Sequence, residues 1–289
     1  MNTDEIIKGE RLQQLADVYL GMPGDFTYNP LIYTEKHKHL NIASIISEYN
    51  NPPVVFCYGH CIQLLCEKLS FFMNEFVLIT HNSDANISES YDTLYILTHP
   101  LIKKWFAQNV CFHHPKLYVL PIGMANNQWQ HGNLSFFKNA EILNWYNTKT
   151  EYTYFCFNQN TNIQKRSECY NKLCNKIPSV GWNAPTEYHR MLSKYRFCIC
   201  PEGNGVDTHR LWEALYLKCV PVVIRSPFID VLQKQLPNLP LIVLDSWDDF
   251  SVSILHYDHS KMGSPDYYNT LTLSYYKQLI FAGTRAACL

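Results

Sequence analysis

Short apolar runs of strand length alternate along this chain with stretches whose apolar residues recur at helical spacing. In the first half the strand-like runs are ADVYLG (16–21), PVVFCYGH (53–60), EFVLITHN (75–82), DTLYILT (92–98) and KLYVLPIG (116–123). Ile62, Leu65, Leu69 and Phe72 predict a helix between the second run and the third. Pro100 is expected to open another helix, carrying Leu101, Ile102, Trp105 and Phe106. ANNQWQHGNL (125–134) is polar and reads as a loop or linker. The pattern then restarts. EYTYFCFN (151–158), IPSVGW (177–182), YRFCICP (195–201), CVPVVI (219–224) and PLIVLD (240–245) are strand candidates. Residues 162–176, 185–192, 207–217 and 228–236 are expected as helices, and so is 266–285.

Strands alternating with helices predict parallel sheets covered by helices. Two successive units of similar size predict an α/β protein with two Rossmann-like domains, 1–134 and 135–265, facing each other across a cleft. Residues 266–289 are expected to pack back on the first domain. One continuous α/β domain fits the same pattern. In either case ligands belong beyond the carboxyl ends of the strands, near helix N-termini.

Composition narrows the function. Apolar residues make up 47% of the 289 and charged residues 17%, so the chain has material for a core and no signature of disorder. Twenty-four basic side chains against 25 acidic ones supply no general field for a polyanion, which argues against a nucleic-acid partner. A diphosphate pocket needs only one to three cations and some backbone N–H groups. The N-terminus shows no basic start followed by an apolar run, and no stretch nears the ~20 apolar residues that cross a bilayer. The expectation is a cytoplasmic protein with no membrane insertion. The eleven cysteines are odd in number, contain no C-x-x-C pair, and place Cys57, Cys156, Cys198 and Cys200 inside strand candidates, which fits reduced core thiols. Cys57, His60 and Cys61 lie close together, but no second pair follows at zinc spacing, so no metal site is expected.

The most informative stretch is YRFCICPEGNGVDTHRLWEALYLKCVPVVI (195–224): strand, glycine-bearing loop, helix, tight turn, strand. Gly203 and Gly205 let backbone approach a ligand with no Cβ in the way. Asp207 or Thr208 is placed to cap the helix, whose N-terminus favours a phosphate. Arg210 in the first turn suits a diphosphate, and Glu213 one turn later suits two ribose hydroxyls. An intrahelical Arg210–Glu213 ion pair is the simpler explanation of that spacing. The coincidence of loop, helix start and charge pair favours a ligand site.

PEGNGVDTHRLWEAL followed by CVPVV resembles the donor-binding core of exostosin-like glycosyltransferases, including the soluble forms encoded by large DNA viruses. The resemblance is strong over roughly 195–225. It weakens through SPFIDVL and LPLIVLDSW, and extends to FVLITHNSD and LPIGMANNQWQHGN in the first half. It implies a two-domain GT-B fold, a nucleotide-sugar donor that is usually UDP-linked, and inversion at the anomeric carbon. Animal members carry a membrane anchor, and none is expected in this chain. The expected donor-binding set comprises Lys165, Arg166, Glu202, Gly203, Asn204, Gly205, Asp207, His209, Arg210 and Glu213. UDP-xylose, UDP-galactose or a uronic acid derivative is the expected donor, and a glycan the expected acceptor.

Outside that core, Lys165 or Arg166 is expected to help Arg210 neutralise a diphosphate. Backbone at Val180–Trp182 is placed to read a base edge, although Trp182 fits the core better. An inverting transfer needs a general base. Strand-end loops of the first domain offer Asp25, His60 and Asp84, the last beside His81. No Asp-x-Asp motif occurs; Asp245-Ser-Trp-Asp-Asp249 has the wrong spacing. The mechanism is therefore expected to need no metal, with helix dipole and cations stabilising the leaving diphosphate. Trp129 and His131 are further candidates for ligand contact. A non-catalytic binding module, or another Rossmann-type enzyme, fits the same residues less well, since Gly203-x-Gly205 lacks the third glycine of a dinucleotide fingerprint.

Overall fold

The computed structural model describes residues 2–22, 24–25, 53–138, 149–181, 183–258, 261–262 and 264–282. Among them are two parallel sheets. The first holds β1 (Val18–Leu20), β2 (Val54–Tyr58), β3 (Phe76–His81), β4 (Ile102–Ala107) and β5 (Leu117–Val119), side by side in that order. The second holds β6 (Glu151–Tyr154), β7 (Tyr195–Ile199), β8 (Val220–Ile224) and β9 (Ile242–Leu244), again in chain order. Every residue of β2 and β3 is buried, which explains their near-continuous apolar sequence.

The helices are α1 (Gly9–Gln13), α2 (Ile62–Lys68), α3 (Tyr91–Thr98), α4 (Ser135–Lys138), α5 (Ile163–Leu173), α6 (Pro185–Leu192), α7 (His209–Tyr216), α8 (Pro227–Gln235), α9 (Pro265–Asn269) and α10 (Leu273–Phe281). Two predicted elements trade places. DTLYILT is helix α3, not a strand: Ser90 and Thr93 form a reciprocal capping box, and Thr93, Ile96 and Leu97 share the buried face. The stretch after Pro100 is strand β4, not a helix, with the indole of Trp105 donating to Thr80 Oγ1 on β3 at 2.8 Å. IPSVGW forms no strand over residues 177–181; Val180 N instead donates to Phe155 O at 3.0 Å. Trp182 lies outside the described residues. The predicted C-terminal helix is two helices, α9 and α10.

Contacts group the chain into two compact units. One joins Ile7–Ile122 to Leu273–Leu289 and contains β1–β5; the other joins Met1–Ile6 to Gly123–Thr272 and contains β6–β9. Within the first, Lys104 Nζ on β4 donates to Leu279 O of α10 at 3.3 Å. Within the second, Ile6 bridges Thr272. The polar stretch 125–134 packs inside the second unit rather than linking the two. A Cβ at Gly132 would lie 2.2 Å from Asn126 O, so only glycine fits there.

Among the described residues no helix is long and apolar enough to cross a membrane. The ten described cysteines are all free thiols.

Candidate functional site

In the β6–β9 unit, β7 ends at Ile199 and a loop leads to α7. α5 pins that loop from below. Asn162 accepts from Lys165 N at 3.2 Å, capping α5, and donates to Gly203 O at 2.7 Å. Arg166 donates from Nε to Glu202 O and from Nη1 to Asn158 O, both at 2.9 Å. Gly203 N closes the loop on Gly205 O at 3.2 Å, and Asn204 is exposed at its tip. A Cβ on Gly203 would sit 3.3 Å from Arg166 Nη2. The loop is thus held by backbone carbonyls that a guanidinium and an amide grip.

Asp207 stands one residue before the N-cap of α7. Its carboxylate accepts from Trp212 Nε1 at 2.7 Å, and it is buried. Thr208 is the N-cap residue, and its side chain makes no capping bond. The first N–H groups of α7 thus receive no bond from the N-cap side chain, which suits an anion at a helix start.

Arg210 stands in the first turn of α7. Its guanidinium carbon lies 5.5 Å from the ring centre of Tyr188 on α6 and 5.9 Å from that of Tyr154 at the end of β6. Its Nη1 is buried and has no hydrogen-bond partner among the described residues. Burial pulls its pKa down, but the surrounding groups of Tyr188, Cys198, Cys200 and Glu213 outweigh that and hold it charged. Arg166 feels the same neighbourhood with the opposite result: burial, then the charge of Arg210, lower its pKa to about 10. A buried guanidinium N–H without a partner, beside a second guanidinium, suits an anionic ligand. Lys165 plays a lesser part, since its exposed Nζ is 3.8 Å from Glu202 Oε2.

Glu213 is buried, and its Oε1 lies 3.6 Å from Nε2 of the equally buried His189. Burial opposes its ionisation, but His189, His209 and Arg210 together bring its pKa down to about 2. Its ion-pair partner comes from α6 rather than from Arg210 one turn back on α7. His209 Nδ1 bonds Gly123 O at 2.8 Å and its ring meets His131 edge-on at 6.1 Å. Burial, first of all, lowers the pKa of His131. Trp129, 51% exposed, stacks on His131 at 6.3 Å.

Beyond the ends of β7–β9, Lys165, Glu202, Thr208, Arg225, Ser226 and Asp245 help line a cavity of about 130 Å³. Arg225 donates to Asp245 at 2.7 Å and to Asp230 at 3.0 Å. The Asp245–Asp249 carboxylates are engaged locally: Asp248 with Lys172 at 2.7 Å, Asp249 with Ser246 N at 2.9 Å. Arg225 and Ser226 escaped the sequence reading. Their signal was position alone, immediately after the apolar run VPVVI.

In the β1–β5 unit the strand ends carry a second polar cluster. His60 Nε2 donates to Asp25 Oδ1 at 3.0 Å, and its Nδ1 faces Ser83 Oγ at 3.3 Å. Met22 N donates to Asp25 Oδ2 at 2.7 Å. Asn82 Nδ2 donates to Gln13 Oε1 at 2.9 Å, and Gln13 meets Tyr58 OH at 3.2 Å. Asn82 has φ 55, and a Cβ on Gly9 would fall 1.8 Å from its Oδ1. Of the three predicted bases, the structure brings Asp25 and His60 together and leaves Asp84 exposed beyond them. Asp25, His60 and Cys61 also bring ligand atoms within 4.8 Å of one another, a grouping that cysteine spacing did not show because Asp25 lies far upstream.

Residues 130–264 match the Exostosin GT47 domain. Two Arabidopsis thaliana proteins share shorter stretches. "Probable glycosyltransferase At3g07620" is 40% identical over 68 residues, 24% of this chain and 13% of that protein. "Probable glycosyltransferase At5g25310" is 31% identical over 67 residues, 23% of this chain and 12% of that protein. The matches thus span about an eighth of the length of these curated relatives. The matched domain contains all of β6–β9 and every residue of the α5–α6–α7 cluster. Two parallel α/β sheets are consistent with a GT-B-like fold of two Rossmann-like domains.

Proposed function

We propose that this protein is an inverting glycosyltransferase that moves a sugar from a UDP-sugar, UDP-xylose or UDP-galactose among them, to a hydroxyl of a glycan acceptor. The observation that carries the reading is the guanidinium pair. Arg210 and Arg166 repel each other at a helix start without a side-chain cap, and Arg210 Nη1 lacks a partner among the described residues. A diphosphate there relieves the repulsion, satisfies the orphaned N–H and meets the positive end of α7. Glu213, kept ionised by its neighbours, accepts from ribose hydroxyls. The cavity beyond β7–β9 is smaller than the ~300 Å³ of a typical ligand cleft, so it takes one part of the nucleotide sugar rather than all of it.

In the transfer, the acceptor oxygen attacks the anomeric carbon as the bond from that carbon to the phosphate oxygen breaks. The electron pair leaves with UDP. The acceptor proton goes to a base, for which the Asp25–His60 pair is the proposed group. A carboxylate only accepts, so Asp25 holds the proton on Nε2 and leaves Nδ1 of the neutral ring as the basic atom. Cations and the α7 dipole stabilise the departing diphosphate in place of a metal. Ten free thiols support a reducing, cytoplasmic site of action.

Thermal shift against UDP and UDP-sugars, with and without EDTA, tests the donor site. UDP is expected to raise the melting temperature equally in both buffers, and Arg210→Ala to abolish the rise. If no uridine nucleotide stabilises the wild type, the reading fails; if EDTA removes the effect, metal independence fails. Sugar transfer to glycan acceptors, followed as UDP release, tests the reaction itself.

A further inference from the structure

Arg210 is the residue on which the proposed donor site turns, yet its own helix does little to hold it. The one carboxylate of α7, Glu213, pairs with His189. Beside the Cys198 and Cys200 thiols, two aromatic rings flank the guanidinium. Tyr154, on β6, and Tyr188, on α6, meet edge to face, with ring centres 5.9 Å apart and planes at 70°. The guanidinium carbon stands 5.9 Å from one ring and 5.5 Å from the other. Three elements thus converge on one cation, and two of them contribute a π-face within the distance at which a cation–π contact is effective.

The tyrosine hydroxyl is the telling detail. Tyr188 OH is buried and has no hydrogen-bond partner among the described residues. A buried phenol normally finds a partner, and leaving it without one costs free energy. Burial raises the pKa of the phenol. The hydroxyl therefore earns nothing visible here, whereas the ring touches both the guanidinium and, at 5.2 Å, the His189 ring that faces Glu213.

We infer that Tyr188, with Tyr154, is a positioning residue for the donor diphosphate: its ring, not its hydroxyl, holds the Arg210 guanidinium in the orientation that meets the phosphates. The inference rests on the donor-site reading above. A guanidinium without such a notch has several rotamers open to it and must lose that freedom on binding. One already seated against two ring faces does not. Lysine at 210 would not substitute, because a point charge lacks the flat face that stacks in the notch.

The test is the affinity for UDP and for inorganic pyrophosphate, by calorimetry at 10 °C, in Tyr188→Phe and Tyr188→Leu. Near-UV circular dichroism at the same temperature checks that each is folded. Tyr188→Phe is expected to bind both ligands within threefold of the wild type and to melt no lower. Tyr188→Leu is expected to lose tenfold or more in affinity for both while folded. Restoration by phenylalanine of what leucine loses is a result that general packing damage does not give. Equal loss in the two variants overturns the inference, because the hydroxyl is then a ligand contact. Wild-type affinity in folded Tyr188→Leu overturns it too. If that variant is unfolded, Tyr154→Phe and Tyr154→Leu are read by the same criterion. The reading beneath is separable: a wild type that binds neither ligand sinks the donor site, whereas a wild type that binds, an Arg210→Ala that does not, and a Tyr188→Leu that does sink only the role of the ring.

Discussion

Glu213 shows how one residue ties the site to the stability of its unit. Its carboxyl is brought from the usual 4.5 to about 2, because His189, His209 and Arg210 outweigh the cost of burial. A depressed acidic pKa stabilises the fold above the unfolded value and loses that contribution as pH falls through the folded one. The window is therefore from about 4.5 down to about 2. Unfolding midpoints in urea across that window should fall more steeply for the wild type than for Glu213→Gln, by up to about 1.4 kcal/mol for each pH unit. Parallel curves would show that Glu213 is not held ionised in the fold. At this scale the sequence was partly legible. Arg210 and Glu213 stood out because a glycine loop, a helix start and two charges fall within a dozen residues. Their partners did not stand out. His189 and Tyr188 lie more than twenty residues upstream on another helix, and nothing local distinguishes them from an ordinary amphipathic face. The predicted cap failed for a different reason. Asp207 stands one residue before the N-cap, and its carboxylate accepts from the Trp212 indole of the same helix.

Among the elements, the ends of helices decide what the middles leave open. α3 was unreadable from periodicity because DTLYILT is apolar enough to pass for a buried strand. Its helical start is set by the reciprocal bonds of Ser90 and Thr93, at 3.3 Å and 2.8 Å. Ser90→Ala should cost about 1 kcal/mol, read as a lowered urea midpoint with an unchanged slope; an unaltered midpoint would mean that packing alone fixes α3. β4 was misread for the opposite reason, since Pro100 suggested a helix start where the residues that follow pair with β3. The far ends of α6 and α7 depend on one cation. The buried Lys149 donates to Ser193 O at 2.8 Å and to Leu217 O at 3.0 Å, at the C-caps of the two helices that carry Tyr188, His189, Arg210 and Glu213. A cation there also suits the negative ends of both dipoles. Lys149→Met keeps the length of the side chain and removes the donor. It should cost roughly 1–3 kcal/mol for carbonyls left unpaired, and measurably weaken UDP binding with it. Loss of stability without any change in UDP affinity would separate the helix ends from the site.

At the scale of the molecule, alternating strands and helices predicted two parallel sheets, and two are present. The residues that answer to the matched domain fall in one contact unit. Arg166, Tyr188, Arg210, Glu213 and the cavity beyond β7–β9 all belong to Gly123–Thr272, with Met1–Ile6 added through the Ile6–Thr272 bridge. A segment of that size buries roughly two thirds of its surface on folding, enough for an independent domain. It contains its own sheet, its own helices and a core with Phe197, Trp212, Leu215 and Phe228. A protein comprising residues 123–272 should therefore unfold cooperatively and bind UDP within about tenfold of the full chain, the shortfall reflecting the lost bridge to Ile6. It should transfer no sugar, because Asp25 and His60 lie in the other unit. The full chain carrying His60→Ala is the counterpart: undiminished UDP affinity with transfer reduced about 100-fold or more, as loss of a general base implies. Transfer by the fragment would place the base within Gly123–Thr272, whereas full activity in His60→Ala would leave His60 without a catalytic task. Weak UDP binding by a folded fragment would instead show that the nucleotide needs residues from Ile7–Ile122, and the donor and acceptor roles could not then be divided between the two sheets.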